Sequence, residues 1–379
     1  MLVSDLPTPA LLVDRARLHA NLDAMQARAE AHDVALRPHA KTHKCPEIAR
    51  LQLARGAQGL TVATVDEAEA FAEAGVDDLR LATPVVNPSA LARLAALTAS
   101  GTRVSWTVDS EAGVRRAAEA VPGAEVLIEV DTGYHRCGVA WDDAPTLTAL
   151  AQAVRVSGLR LVGLLSHGGT AYTPADDDQT DEDARRGAME AERDRVLDAA
   201  ATLGRAGLLE PGAELSVGST PGVSMFANAE RDGFRITEIR PGTYVFMDAM
   251  QVALGAARLQ DCALVCVGTV LSKRRFADGT ERVITDAGKK VLTSDLRPGS
   301  DALGTVLYSP RTMIAHPHAT VSGLSEEHGW VDSPGGVIWD VGDPVFVVPN
   351  HACVAVATRR QLHLVDGDEV AETWDVVAR

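Results

Sequence analysis

Residues 35–83 read ALRPHAKTHKCPEIARLQLARGAQGLTVATVDEAEAFAEAGVDDLRLAT, and this stretch alternates short apolar runs with alanine-rich segments. The apolar runs at 35–41, 59–64 and 79–83 have the length and composition of buried β-strands. Between them, CPEIARLQLARG and DEAEAFAEAG have the spacing of amphipathic helices. Apolar strands that are separated by helices are typical of a parallel sheet covered by helices.

The same alternation continues through the first two-thirds of the chain. Further strand candidates follow at 103–109, 124–131, 159–168, 214–220 and 236–246. Eight strand–helix units within roughly 230 residues favour a closed (β/α)8 barrel of the TIM type. A doubly wound open sheet is the alternative, but no strand is followed by the GxGxxG turn that opens a helix in such folds.

The composition changes after about residue 257. Segments such as CALVCVGTVLSK, ERVITDAG and DPVFVVPNHACVAVA are strand-like and are broken by Gly, Asp and Pro, with little helical periodicity. This pattern predicts a small, mostly antiparallel β-domain. We therefore expect a barrel at residues 1–256 and a β-domain at residues 257–379, with LLVD near the N-terminus adding a strand to either part.

Charge and cysteine content exclude several classes of protein. A net charge of −16 makes binding to nucleic acid or to an anionic membrane unfavourable. The chain has neither a signal-peptide pattern at its N-terminus nor an apolar stretch near the ~20 residues that span a bilayer. The five cysteines are scattered without a CxxC pair. These features predict a cytoplasmic protein with reduced thiols, in which the acidic run at 176–178 is a solvated loop.

Polar side chains follow most of the predicted barrel strands at the point where each strand ends. Each of them alone is typical of a solvated residue, a hydrogen-bonded core histidine or a turn. Because barrel enzymes place their chemistry at the C-terminal ends of the strands, we expect these residues to meet at one rim. They are His39, Lys41, Thr64, Asp131, His135, Arg136, Ser166, His167, Tyr172, Gly218, Ser219, Thr220, Gly242 and Thr243.

This rim has the composition of a site for a phosphorylated aldehyde. Hydroxyls and glycines after the last two strands present backbone N–H groups to an anion, and phosphate commonly binds there. Lys41 and Arg136 add a nucleophilic amine and a cation. A lysine in a partly buried, cationic place can lose its proton and attack an aldehyde.

A second group is His351 and Cys353, within VVPNHACVAVA. On a strand, residues i and i+2 face the same side, so the imidazole and the thiolate would converge. Nitrogen plus sulfur suits Zn²⁺ and leaves positions open for water or substrate. A core cysteine beside a capping histidine is the alternative interpretation, and His316 with His318 is a rival pair that lacks further anchors.

Seven segments together resemble the D-serine dehydratase and D-threonine aldolase family. They occur in order along nearly the whole chain: RPHAKTHKCPEIA, EVDTGYHRCGV, LSHGGTAY, SVGSTPG, RPGTYVFMD, SEEHGWV and PNHAC. The resemblance implies an alanine racemase-like fold, in which a (β/α)8 barrel is followed by a β-domain. It also implies pyridoxal 5'-phosphate as cofactor, a small D-amino acid as substrate and a homodimer.

The resemblance assigns roles to particular residues of this chain. Lys41 matches the lysine that holds the cofactor covalently and acts on the substrate. Arg136 and His167 match residues beside the pyridine ring, and Tyr172 matches a tyrosine near the cofactor. The two phosphate-binding turns contain Ser219, Thr220, Gly242 and Thr243. His351 and Cys353 match a divalent-metal pair, with zinc favoured over manganese, cobalt and magnesium.

The predicted function is therefore that of a lyase on small D-configured β-hydroxy amino acids. His-x-Cys favours a dehydratase, acting on D-serine or D-threo-3-hydroxyaspartate, over a D-threonine aldolase, whose relatives tend to carry His-x-Asp. An amino-acid racemase is a less favoured alternative, because Tyr308 is the single tyrosine after Tyr244 that could supply a second base. A non-catalytic cofactor carrier would not need the His-x-Cys pair.

Overall fold

A computed structural model describes residues 1–175, 179–334, 336 and 338–378. The acidic run at 176–178, expected to be a solvated loop, lies outside the described residues. No helix in the described ranges is long and apolar enough to cross a membrane.

Strands and helices alternate through the first two-thirds of the chain, and strands dominate the remainder. The strands are β1 (Ala10–Asp14), β2 (Ala35–Leu36), β3 (Leu60–Val62), β4 (Asp78–Pro84), β5 (Arg103–Val108), β6 (Glu125–Asp131), β7 (Val139–Ala140), β8 (Arg160–Leu165), β9 (Glu214–Val217), β10 (Glu230–Arg231), β11 (Phe234–Arg235), β12 (Glu238–Ile239), β13 (Leu264–Arg275), β14 (Glu281–Thr285), β15 (Thr305–Leu307), β16 (Thr320–Leu324), β17 (Gly329–Ser333), β18 (Pro344–Val348), β19 (Gln361–Asp366) and β20 (Glu369–Asp375). The α-helices are α1 (Arg15–Ala31), α2 (Pro46–Leu53), α3 (Val65–Glu73), α4 (Pro88–Ala99), α5 (Glu111–Ala120), α6 (Ala144–Val156), α7 (Asp181–Arg205), α8 (Thr220–Val223), α9 (Ala249–Ala253), α10 (Lys289–Leu292) and α11 (Ala352–Ala357). Short 3-10 helices lie at Val3–Asp5, Ala40–Thr42, Gly169–Tyr172, Thr243–Val245 and Leu259–Asp261.

The barrel sheet has the order β2-β12-β9-β8-β6-β5-β4-β3, and its neighbouring strands run parallel. A parallel bridge between His39 and Thr61 joins the first strand to the second and closes the ring. The prediction of a (β/α)8 barrel is therefore confirmed. Helices α2 to α7 cover the outside of the strands, and apolar side chains on their inner faces form the main core.

Side chains just after the barrel strands cap the N-termini of several of the helices that follow. The Thr64 hydroxyl accepts a hydrogen bond from the Glu67 amide at 3.2 Å and begins α3. Ser110 begins α5 in the same way, since its hydroxyl accepts from the Gly113 amide. Such N-caps satisfy backbone donors that have no partner within the helix. The strand-to-helix turns are thereby held at the C-terminal mouth of the barrel.

The second sheet is mostly antiparallel and has the order β16-β17-β14-β13-β1-β19-β20, with β18 beside β13 and β15 beside β18. Strand β1 pairs antiparallel with β13 and parallel with β19, so the LLVD segment belongs to this sheet. The C-terminal β-domain is confirmed as a fold, and it includes a strand from the start of the chain. The division between residues 256 and 257 stays a prediction.

The expectation that His351 and Cys353 lie on a strand is wrong. Strand β18 ends at Val348, and α11 begins at Ala352 with His351 as its N-cap residue. The Asp248 carboxylate accepts a hydrogen bond from the Ala352 amide at 2.9 Å, which satisfies a donor of the first helical turn. Apolar residues after Cys353 therefore form a buried helix face rather than a strand.

Candidate active site

A cavity of about 290 Å³ lies at the C-terminal mouth of the barrel. The eight residues that were predicted to hold the cofactor all line it. They are Lys41, Arg136, His167, Tyr172, Ser219, Thr220, Gly242 and Thr243. The cavity wall also contains His39, Thr42, Cys137 and Arg240. The other predicted rim residues Thr64, Asp131, His135 and Ser166 do not line this cavity.

Lys41 lies in the 3-10 turn that follows the first barrel strand. The preceding His39 caps this turn, and its Nδ1 atom lies 3.5 Å from the Lys41 amide. Burial lowers the pKa of His39 well below its usual range, and the cations of Lys41 and Arg240 lower it further. A neutral imidazole beside the lysine leaves the turn without an additional positive charge.

Two adjacent backbone turns line the cavity. The first contains Ser219 and begins α8, and its Ser219 hydroxyl donates to the Gly168 carbonyl at 2.7 Å. The second contains Gly242 and begins the 3-10 helix at Thr243–Val245. The Thr220 hydroxyl accepts from the Tyr244 amide at 3.1 Å and joins the two turns. Backbone N–H groups at such turns suit an anion such as phosphate.

Gly242 is required by close packing rather than by its backbone angle. A Cβ atom at this position would lie 2.8 Å from the Thr42 hydroxyl and 3.2 Å from the His39 carbonyl. Its φ of −118° is open to any residue. A side chain here would therefore press into the turn that carries Lys41.

Glu192, on helix α7, holds the first of these turns by hydrogen bonds. It was not predicted from sequence, because a glutamate on a long helix is usually solvated. Its Oε1 atom accepts from the Ser166 hydroxyl at 2.6 Å and from the Gly218 amide at 2.9 Å. The side chain is buried, and burial raises its pKa. These two hydrogen bonds hold the turn at Gly218 against the long helix α7.

Two arginines supply positive charge around the cavity. An Nη2 atom of Arg136 lies 3.7 Å from the buried carboxylate of Glu129. Arg240 is itself buried and donates to the Ser166 carbonyl. Burial lowers the pKa of Arg240 to about 10, so it remains a cation at neutral pH. Arg136 was predicted from sequence to be a site residue. Glu129 and Arg240 were not predicted, because they lie within apolar strand segments.

His167 lies where the sixth barrel strand ends. Burial lowers its pKa to about 3, with further contributions from Arg136 and Lys41. The ring of Tyr134 meets the imidazole edge-on, with centroids 5.3 Å apart and an interplanar angle of 75°. His167 is therefore a neutral, ring-shaped surface in the cavity. Such a surface suits contact with an aromatic cofactor ring.

His351 and Cys353 converge beside the same cavity. The Cys353 sulfur lies 3.2 Å from the Thr42 hydroxyl and 3.7 Å from the Thr243 hydroxyl. Burial opposes ionisation of the Cys353 thiol, but a hydrogen bond to His351 and the Lys41 cation outweigh burial and lower its pKa. A thiolate and an imidazole are a donor set that fits a borderline-soft divalent metal.

Two carboxylates near this pair were not found from sequence. Asp295 Oδ2 lies 2.6 Å from His351 Nδ1. Asp248 is buried and caps α9 through the Gln251 amide while holding the Ala352 amide. Both are distant from the pair in sequence. Within the described residues, no group of three or more His, Cys, Asp or Glu side chains is arranged to hold a metal.

His316 and His318, the alternative metal-binding pair, do not line the cavity. His316 packs against the rings of Tyr308 and Trp339, at centroid distances of 4.4 Å and 5.3 Å. Three exposed cations of the C-terminal part of the chain also lie outside the cavity and pair with acidic side chains at the surface. These pairs are Lys289 with Glu326, Lys290 with Glu327, and Arg311 with Asp368.

The residues of the cavity fit a phosphorylated aldehyde and those beside it fit a metal ion. An amine, a cradle of backbone turns that has no room for a Cβ at Gly242, and a neutral ring-shaped wall suit the cofactor. One nitrogen and one sulfur ligand leave open positions that water or substrate can fill.

Two family models match this chain. The model of the alanine racemase N-terminal domain matches residues 13–250, and that of a putative serine dehydratase domain matches residues 263–365. The chain is 34% identical to D-threo-3-hydroxyaspartate dehydratase of Delftia sp. (strain HT23), over 98% of this chain and 97% of that protein. It is also 34% identical to D-threonine aldolase of Arthrobacter sp., over 98% of this chain and 92% of that protein.

Solved structures support the same relationship. A cysteine-to-alanine mutant of D-threo-3-hydroxyaspartate dehydratase in the metal-free form superposes with a TM-score of 0.89 and 32% identity. The match covers 100% of this chain and 99% of that chain. That structure is a metal-free form, which implies that this relative binds a metal.

Proposed function

This chain belongs to the D-serine dehydratase and D-threonine aldolase family of pyridoxal-phosphate-dependent lyases, and on that premise we propose that it dehydrates small D-configured β-hydroxy amino acids. Loss of water and then hydrolysis would yield a keto acid and ammonia. D-Serine and D-threo-3-hydroxyaspartate are the proposed substrates, supported by the names of the relatives that the chain matches over nearly its full length.

One observation carries the proposal. The Cys353 sulfur lies 3.2 Å from the hydroxyl of Thr42, the residue next to the cavity lysine Lys41. The proposed base and the proposed metal-binding pair are therefore on neighbouring segments, as a reaction at two adjacent carbon atoms of one small substrate requires. Removal of a proton from Cα and departure of a hydroxyl from Cβ need these two functions at adjacent positions.

Each side chain would contribute a separate part of this chemistry. When bound, pyridoxal phosphate supplies the electron sink for charge at Cα, and the metal supplies a Lewis acid. Lys41 would hold the cofactor covalently and, once its amine is released, remove the Cα proton. The turns with Ser219 and Gly242 would bind the phosphate, while His351 and Cys353 would hold the metal close to the β-hydroxyl. Tyr172, whose pKa is raised by burial, would remain a neutral hydrogen-bonding group.

Retro-aldol cleavage is the second candidate function, because the chain is equally identical to a D-threonine aldolase. In that reaction the β-hydroxyl loses its proton and the Cα–Cβ bond breaks, which gives glycine and an aldehyde. The same lysine and metal pair can serve both reactions. The cysteine at position 353 supports dehydration, because the resemblance associates aspartate at this position with aldolases.

We also propose that the metal is zinc and that the protein is a homodimer. Zinc is supported by the nitrogen and sulfur donors. The dimer is supported by the family resemblance, in which the site is built near a subunit interface. Metal analysis of the purified protein tests the first proposal. A solution mass of twice the 40.0 kDa chain tests the second.

Product analysis tests the reaction itself. The protein is incubated with D-serine, D-threonine and D-threo-3-hydroxyaspartate, with and without a chelator, and L-serine serves as the stereochemical control. Ammonia and a keto acid that appear only from D-substrates, and only with metal, are the expected result. Glycine plus an aldehyde would identify an aldolase instead, and turnover that persists after complete metal removal would contradict a role for His351 and Cys353.

A further inference from the structure

The imidazole of His351 is held by a carboxylate on a different segment of the chain. Asp295 Oδ2 lies 2.6 Å from Nδ1 of His351, although 56 positions separate the two residues. One ring nitrogen is thereby occupied, and Nε2 is the nitrogen that remains for another partner. Because His351 also contacts Cys353, this nitrogen is the one available to a metal shared with the thiolate.

The segment that carries Asp295 is fixed to the residue before the histidine. Asn350 is fully buried, and its Nδ2 atom donates to the carbonyls of Asp295 at 2.9 Å and Ala302 at 2.8 Å. Its Oδ1 atom accepts from Arg297 at 2.8 Å. Asn350 thus holds the loop at 295–302 in one position relative to His351. The carboxylate and the imidazole are therefore oriented by a connected set of hydrogen bonds.

Asp295 has the position of a supporting residue rather than that of a ligand. It contacts Nδ1 of His351, which leaves Nε2 as the ring nitrogen available to a metal. In the part of the chain that the structure describes, it does not form a metal-binding group of three with His351 and Cys353. Metal-ligating histidines commonly donate their second ring N–H to a carboxylate, which fixes the tautomer and the ring orientation.

We propose that Asp295 is a positioning residue, which fixes His351 with Nε2 directed to the metal and thereby sets the affinity of the site. This proposal rests on the metal site of the proposed function and adds a residue to it. Asn350 and Arg297 would contribute by holding the loop of Asp295 in place.

Metal binding to the cofactor-loaded, metal-stripped protein tests the proposal. Zn²⁺ affinity is measured by competition with a chromophoric chelator, and the visible spectrum of the Co²⁺ form reports ligand geometry. We expect Asp295→Ala to bind Zn²⁺ about 10–100-fold more weakly and to change the Co²⁺ spectrum. Asp295→Asn should fall between wild type and Asp295→Ala, since an amide oxygen can still accept the Nδ1 proton.

Matched variants separate this proposal from the one on which it rests. Asp301→Asn removes a carboxylate from an exposed position of the same loop and should bind metal as wild type does. His351→Ala should lose the site, and if it binds metal normally, the proposed metal site itself is wrong. If His351→Ala loses metal but Asp295→Ala binds it with wild-type affinity and spectrum, only the role of Asp295 is overturned. Complete loss of metal in Asp295→Asn would also overturn that role, because Asp295 would then be a ligand.

Discussion

The hydroxyl of Thr42 and the thiol of Cys353 lie 3.2 Å apart, although 311 positions separate them in the chain. Thr42 belongs to the turn after the first barrel strand, and Cys353 belongs to α11 after the β-domain strand β18. The C-terminal β-domain thus brings the proposed metal-binding pair to the barrel mouth within one chain. This contact places the proposed metal-binding thiol beside the turn that carries Lys41.

Replacing Lys41 with alanine should abolish covalent retention of the cofactor, because no other lysine lines the described cavity. Activity should fall by roughly 10²–10⁴-fold or more, since a general base is lost together with the point of attachment. Borohydride reduction followed by peptide mass analysis measures the attachment. Lys289→Ala, at an exposed ion pair with Glu326, is the control and should be labelled normally. A labelled Lys41→Ala protein would contradict the assignment.

Replacing Gly242 with alanine should weaken cofactor binding. The added Cβ would meet the Thr42 hydroxyl at 2.8 Å and the His39 carbonyl at 3.2 Å, and so displace the lysine turn. Overpacking of this kind costs about 1–3 kcal/mol, which corresponds to a rise in Kd of roughly 5-fold to 150-fold. Titration of the apoprotein with pyridoxal phosphate, followed by absorbance, measures the change.

Gly187 provides the matched control for that substitution. It is exposed within α7, and a Cβ there would meet no atom within 4 Å. Gly187→Ala should therefore leave cofactor affinity unchanged and stabilise the helix by about 1 kcal/mol. Equal cofactor affinities in the two alanine variants would show that the space at Gly242 is unimportant.

Replacing Glu238 with glutamine should destabilise the barrel in a pH-dependent way. Burial opposes ionisation of this carboxyl, but Arg80 at 2.8 Å and Arg37 at 2.6 Å outweigh burial and lower its pKa to about 2. Loss of one partner of a buried ion cluster costs about 3–5 kcal/mol. We therefore expect Glu238→Gln to lower the free energy of unfolding by this amount at neutral pH.

The sign of the pH dependence follows from the two states of Glu238. The unfolded carboxyl binds its proton near its usual pKa of 4.5, whereas the folded one does so only near 2. The stability that wild type gains from ionised Glu238 is present above pH 4.5 and is lost as the pH falls towards 2. The free energies of unfolding of wild type and Glu238→Gln, measured by urea titration, should therefore converge as the pH falls over this interval. Glu210 is exposed, and Glu210→Gln should have the free energy of unfolding of wild type at every pH. A difference between wild type and Glu238→Gln that does not change with pH would contradict the low pKa of Glu238.

Most of the cavity lining could be predicted from sequence because barrel strands end at one rim. Lys41, Arg136, His167 and the two turns each follow a strand that was recognised by its apolar run. Their roles remain proposals. The supporting residues could not be found in this way, because nothing in the local pattern around Glu192 or Asp295 distinguishes them from solvated acidic residues.

The secondary structure at His351 and Cys353 also could not be predicted from sequence. The residue types were sufficient to indicate a metal site, but the predicted strand was replaced by a turn into α11. A hydrogen bond from the Ala352 amide to Asp248, which belongs to a distant segment, satisfies a donor of the first turn of this helix. Helix and strand preferences of a short apolar run are weak, and a tertiary contact decides between them.

The barrel and the β-domain were predictable from the amino-acid sequence, because apolar periodicity and strand-end residues are local properties of the chain. The family was recognised from the resemblance of seven segments. The folded chain was needed to show that β1 joins the second sheet, that Cys353 reaches Thr42, and that Asp295 contacts His351. These relationships join residues that are far apart in the chain, and a buried charge or thiol acquires its partner and its pKa only when folding excludes water around it.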